Sequence, residues 1–194
     1  NPLSNFVSTN GFTTVDAPVN NTIGFVVAGN AGIILTSPNG NSWTKRNSGY
    51  TNALYSVTYG NGLYVIGGRS GTILKSTDAI TWDKIDTGLS HIQGLTYHNN
   101  VFIAVGNSGL IATSADGSTW TSKNSGVTFN LVDVAYGKGF FVAIGQGGKI
   151  LRSCDGTTWQ STDSGYSSFS SANFINNLFF LTGDTGLLLK SEDA

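Results

Sequence analysis

At 194 residues, with a net charge of −1 and only 11% charged side chains, the chain can fill one domain with a core but offers no basic field for a phosphate backbone. Hydrophobic residues make up 39%, too many and too regularly spaced for a disordered chain, yet no run reaches the ~18–20 apolar residues of a membrane helix. Nucleic acid and membrane insertion are therefore excluded as expectations. Cys154 stands alone, so neither a disulfide framework nor a thiol metal site is expected. The first residues, Asn1-Pro2-Leu3-Ser4, carry no signal-peptide pattern, and the chain has no methionine, even at position 1. That combination points to a processed product or a domain of something longer. Richness in Gly, Ser, Thr and Asn with little charge suits an extracellular, cell-surface or virion setting.

In chain order, short apolar runs recur between glycine turns, as all-β chains require. Residues 54–59 read as strand A of a repeat, 63–67 as strand B, 72–75 as strand C and 81–85 as strand D, with Gly60-Asn61-Gly62 and Gly68-Arg69-Ser70-Gly71 as turns. The motifs repeat near 12–47, 53–86, 92–124, 131–163 and 169–194. Strand B is apolar on both faces (24–28, 63–67, 101–105, 140–144, 178–182), which predicts burial between neighbouring layers. Strand A is small or polar at its centre, with Thr14, Ser56, Gly94, Asp133 and Ser171 at equivalent places. Four tryptophans keep the period: Trp43, Trp82, Trp120 and Trp159 lie 39, 38 and 39 residues apart. A period near 40 is the signature of a propeller or solenoid. The 43 residues up to Trp43 and the 35 after Trp159 make two further periods of 39, which predicts a closed ring rather than a linear stack. The expected fold is all-β: a single five-bladed β-propeller over 1–194, of four-stranded antiparallel blades. The last blade lacks a strand D, and Asn5-Phe6-Val7-Ser8-Thr9-Asn10 resembles Thr119-Trp120-Thr121-Ser122-Lys123-Asn124. The N-terminal segment is thus expected to supply the outer strand of the last blade.

Each tryptophan closes a phrase: Ser37 to Trp43, Ser76 to Trp82, Ser114 to Trp120 and Ser153 to Trp159, with a fifth opening at Ser191-Glu192-Asp193. In Ser-x-Asp-Gly-x-Thr-Trp the carboxylate can accept from backbone N–H groups ahead of it, making an Asx-type turn. The indole is expected to pack between blades, contributing at most roughly 4–6 kcal/mol by area. The phrase resembles the Asp-box, or bacterial-neuraminidase-type, repeat, one residue shorter than its commonest form. Blade one departs from it with Asn39 where Asp78, Asp116 and Asp155 stand. The resemblance implies a propeller whose Asp-box residues, Asp193 included, are structural. It does not imply an activity, because such repeats occur in sialidases, lectin-like adhesins, assembly factors and phage proteins.

Catalytic constellations are thin. A sialidase would need three convergent arginines, whereas Arg46, Arg69 and Arg152 occupy non-equivalent places. Five-bladed glycosidases use two or three carboxylates in the channel; the candidates are Asp16, Asp133 and Asp184, while the only glutamate, Glu192, lies in a turn. His91 and His98 form no metal motif, and the glycine turns lead into no helix that would hold a phosphate. The expectation is no enzyme, no cofactor and no metal.

The D–A and B–C connections of a propeller share one face. B–C turns present Asn30, Arg69, Asn107, Gln146 and Asp184; D–A connections carry Tyr50, His91, Phe129 and Tyr166, with Phe12 after the N-terminal strand. Amides and charges beside aromatic rings are what sugar recognition uses. Their variation from blade to blade predicts one asymmetric site. The reading is a glycan-binding or adhesive propeller of a bacterial surface or phage protein, meeting a glycan or cell-surface receptor. A protein-interaction or assembly-factor scaffold is the alternative, and a glycoside hydrolase the third.

Overall fold

The structure, a computed structural model, describes residues 24–193 and the backbone of Phe12–Asp16. Nineteen strands among these form five antiparallel sheets. Blade one holds β1 (Phe12–Asp16), β2 (Phe25–Gly29), β3 (Ile34–Ser37) and β4 (Thr44–Arg46). Blade two holds β5 (Leu54–Gly60), β6 (Leu63–Gly68), β7 (Thr72–Ser76) and β8 (Asp83–Asp86). Blade three holds β9 (Ile92–His98), β10 (Val101–Gly106), β11 (Leu110–Ser114) and β12 (Thr121–Lys123). Blade four holds β13 (Leu131–Gly137), β14 (Phe140–Gly145), β15 (Lys149–Ser153) and β16 (Gln160–Asp163). Blade five shows β17 (Phe169–Ile175), β18 (Leu178–Gly183) and β19 (Leu188–Ser191). Strand order within every sheet follows the chain, so each blade is a meander. None of these sheets closes on itself. The closing segment expected at 5–10 lies outside the described residues.

The core sits between blades. One cluster joins Val26, Ala28 and Ile34 of blade one to Leu54, Tyr64, Ile66 and Leu74 of blade two. The same arrangement recurs from two to three around Val65, Ile73 and Phe102, from three to four around Ile103, Val105 and Phe141, and from four to five around Val142, Ile144 and Phe179. Strand B is buried on both faces because a neighbour covers each. Trp82, Trp120 and Trp159 pack against these inter-blade clusters, partly buried, as expected. Trp43 differs: it is 41% exposed, and its ring meets Phe25 of its own blade with centroids 6.3 Å apart, so its contribution falls well below the upper bound. The tryptophans also stand just before strand D rather than inside it. There the indole N–H of Trp43, Trp120 and Trp159 donates to the carbonyl of Gly40, Gly117 and Gly156, at 3.0, 3.2 and 3.1 Å.

Two regularities were not anticipated. Aromatic side chains near the end of strand A (Tyr59, Tyr97, Tyr136, Phe174) each pack on the second residue of strand B (Tyr64, Phe102, Phe141, Phe179), with centroids 4.5–4.8 Å apart. Strand A also slips register near its start in all five blades, as between Leu54 and Ser56 or Leu131 and Asp133. The slip is a β-bulge, which re-aims side chains at a sheet rim.

Candidate interaction face

The C–D turns are built as the repeated phrase requires. Asp116 Oδ1 accepts from the backbone N–H groups of Ser118 and Thr119, both at 2.8 Å, and Asp155 and Asp78 do the same in their blades. Ser114 and Ser153 accept from the glycine N–H of the turn at 2.9 and 2.8 Å. Bonding to the ionised form holds the carboxyls of Asp78 and Asp155 far below the ordinary range and that of Asp116 at about 2. These carboxylates serve the turns. In blade one an amide suffices: Asn39 Oδ1 accepts from Asn41 and Ser42 at 2.9 and 3.2 Å.

A pH prediction follows, because a depressed carboxylate contributes stability that is present above its ordinary pKa and lost as pH falls towards the folded value. The combined variant Asp78→Asn, Asp116→Asn, Asp155→Asn should fold, as blade one does. Its melting temperature should fall less steeply than that of the parent between about pH 5 and about pH 2. Thermal melts at a series of pH values read this directly; identical slopes would refute it.

The opposite rim, where strands B end and strands A begin, carries the candidate recognition residues. The two sets of loops are bonded together. The N–H groups of Arg69, Asn107 and Gln146 donate to the carbonyls of Ala53, His91 and Asn130, each at 3.0 Å, and the Tyr50 hydroxyl donates to the Arg69 carbonyl at 2.8 Å. Four B–C turns are single 3-10 turns starting at Asn30, Arg69, Asn107 and Asp184, and each has a non-glycine residue at φ 55–58°. Such left-handed backbone is costly outside glycine and marks tightly determined loops.

Individual fates differ. Asn30, Arg69, Gln146, Asp184 and Tyr166 are exposed, while Tyr50, His91, Asn107 and Phe129 are half-buried. Phe129 packs into the cluster between blades three and four. Asn107 Oδ1 accepts from Gln93 Nε2 at 3.1 Å, and Asn130 Oδ1 accepts from the Ser108 N–H at 3.0 Å. Gln93 occupies the strand-A bulge, so it reaches this rim although alternation alone would not place it there. Asp16 lies on β1 opposite Val26, and the side chains of Asp16 and Phe12 lie outside the described residues.

Asp133 is a strut between blades. Its Oδ2 accepts from the Ala172 N–H at 2.9 Å and the Ser171 hydroxyl at 3.2 Å, and its Oδ1 from its neighbour Val134 at 2.8 Å. Burial pushes its pKa up, against the opposing pull of these bonds. Ser56 plays the same part between blades two and three, accepting from the Leu95 N–H at 3.0 Å. Arg46 donates from Nε to Thr36 Oγ1 at 2.8 Å, and the Arg152 guanidinium lies 3.5 Å from the Phe140 ring centroid. On the far face His98 stacks on Tyr136, centroids 3.6 Å apart, and burial lowers its pKa. Cys154 is exposed and free. Among the described residues no cluster of His, Cys, Asp and Glu has the grouping of a metal site.

Four-stranded meanders packed blade on blade, with connecting loops joined on one rim, define a β-propeller. The chain belongs to the family of the DUF6242 beta propeller domain, whose model matches residues 7–131. No curated protein sequence matches it. Among solved structures it is similar to YCF48 bound to D1 peptide (TM-score 0.73, 16% identity, 94% of this chain and 63% of that one). It is also similar to YCF48 from Cyanidioschyzon merolae (0.73, 20%, 96% and 68%) and to U3-55K (0.78, 11%, 93% and 60%). Identities this low establish the fold alone. The chain spans 63% of the length of the first of these.

Proposed function

We propose that this propeller is a non-enzymatic interaction module that holds a protein partner on the rim formed by its B–C turns and D–A connections. The bonding of the turns of blades two, three and four to a neighbouring connection carries this reading, because it makes the rim a firm platform with different side chains in every blade. YCF48, a propeller of similar fold, is seen with a D1 peptide, which supports a peptide or protein ligand over a sugar. In a pull-down, Arg69→Glu with Gln146→Lys should abolish capture of the partner. Lys138→Glu, on the A–B turn of blade four, should leave it intact. Equal loss from both variants would overturn the assignment of the face.

Glycan recognition is the second reading, and Tyr166, 47% exposed, favours it as a ring on which a sugar could stack. A glycan array signal that disappears in Tyr166→Ala would put it first. Either role fits an extracellular, surface or virion setting. A glycoside hydrolase would displace both if aryl glycosides were cleaved by the parent and not by Asp133→Asn.

Two finer readings accompany this one. We read the C–D turns as Asp-box turns, which their bonding supports, and infer that residues 5–10 supply the fourth strand of the last blade. The latter rests on their likeness to residues 119–124 and on the three described strands of that sheet. Deleting residues 1–10 is expected to impair folding or induce oligomers; a monomer with an unchanged melting temperature would sink this closure.

A further inference from the structure

The rim is not electrostatically uniform. At the end of strand D or one residue past it the four complete blades carry, in order, Asn47, Asp86, Asn124 and Asp163, preceded by Arg46, Ile85, Lys123 and Thr162 respectively. Blades two and four place an anion there and neutralise it, through Lys84–Asp86 at 3.4 Å and Lys149–Asp163 at 3.3 Å. Blades one and three instead place a cation beside a neutral amide, and there the surface opens into recesses of about 430 and 320 Å³. The larger is lined by Lys45, Arg46, Asn47 and Tyr50. Lys84 Nζ stands 5.8 Å from the Tyr50 ring centroid, and the Tyr50 hydroxyl is bonded to the backbone of Arg69. Three of the ten Lys and Arg residues of a net-negative chain, Lys45, Arg46 and Lys84, thus stand around one tyrosine. Among the described ion pairs only that of Lys84 with Asp86 offsets them.

We propose that this recess binds an acidic segment of a protein partner, with glutamate or aspartate carboxylates meeting Arg46 and Lys45 while the chain lies along the Tyr50 ring. The proposal rests on the protein-interaction reading and names its site and ligand chemistry. Arg46 is held by Thr36 through Nε, which leaves the terminal nitrogens of its planar guanidinium to take a carboxylate in a two-bond fork. Lys45 adds charge without fixed geometry. The matching recess of blade three has Lys123 as its only lining cation and is the weaker site.

The decisive substitution is Asn47→Asp. Asn47 Oδ1 accepts from the Gly49 N–H at 3.0 Å, and Asp163 Oδ1 accepts from the Gly165 N–H at 3.1 Å in blade four. The variant therefore copies a turn the protein already folds, while placing an anion in the recess. Anisotropy of a labelled oligoglutamate peptide on the full chain should show saturable binding that weakens as salt rises. Affinity should fall about tenfold or more in Asn47→Asp and in Lys45→Gln/Arg46→Gln, and change little in Lys123→Gln. Oligoglutamate that fails to bind, or binds Asn47→Asp as tightly as the parent, overturns the proposal. If the partner captured in the pull-down is still lost in Arg69→Glu/Gln146→Lys, the interaction reading survives that failure. Binding of a sulfated glycan without binding of oligoglutamate would overturn both.

Discussion

Replacing Gly148 with alanine should lower the melting temperature by about 10 °C, the largest effect expected of any single methyl added to the rim. Gly148 immediately precedes strand C of blade four at φ +66°, where a β-carbon costs roughly 1–2 kcal/mol by itself. More serious, the new methyl would run into the Tyr166 carbonyl oxygen, a backbone atom that cannot rotate away. Opening that contact pulls apart the bonds that the Gly148 carbonyl accepts, from the Ser164 N–H at 3.1 Å and from the Ser164 hydroxyl. Together these amount to about 3–4 kcal/mol, and a domain this size loses about 2–4 °C per kcal/mol. Gly165 separates the causes. It stands in the adjoining connection of blade four at φ +79°, but among the described residues no atom lies within 4 Å of its would-be β-carbon. Gly165→Ala should therefore cost only the conformational part, about 1 kcal/mol. Calorimetric melts of both variants check the difference; equal losses would show that backbone conformation, not the close approach of the two loops, sets the requirement for glycine.

The contrast between these two glycines shows how far the sequence could be read. The repeat, the four-strand meander and the Asx turns were legible because each depends on local chemistry recurring at a fixed spacing, as Ser114 to Trp120 shows. The double burial of strand B was legible for the same reason. The bulge in strand A was not, since a one-residue slip leaves an apolar pattern as short as residues 92–95 intact. Gln93 was missed at the rim on that account. Tyr50 and Arg69 were found, but Lys45, Arg46 and Lys84 were not. These cations come from two separated stretches, and blades one and two bring them beside Tyr50. The acid at Asp133 looked like channel chemistry in sequence. In the structure the Ala172 N–H and the Ser171 hydroxyl claim one of its oxygens and the Val134 N–H the other.

That arrangement predicts a second large effect. Asp133→Ala should cost about 3 kcal/mol, because it strands the N–H of Ala172 at a closed blade interface and leaves a void. Asp133→Ser should recover part of that cost, since Ser56 meets the equivalent N–H of Leu95 with a hydroxyl. The acid dependence distinguishes this strut from the turn carboxylates. Burial raises the Asp133 pKa, so its contribution is fully present below the ordinary carboxylate value and lost as pH rises through the folded one. Asp133→Asn cannot titrate, and its amide must turn a donor towards a backbone N–H. Its stability deficit relative to the parent should accordingly be greatest in acid and narrow towards neutral pH, opposite in sense to the Asp78, Asp116 and Asp155 effect. Denaturant melts of parent and variant across that range measure it. A deficit that widens with pH would mean that the ionised carboxylate is favoured at this site, and that its bonds to Ala172, Ser171 and Val134 outweigh the cost of burying the charge.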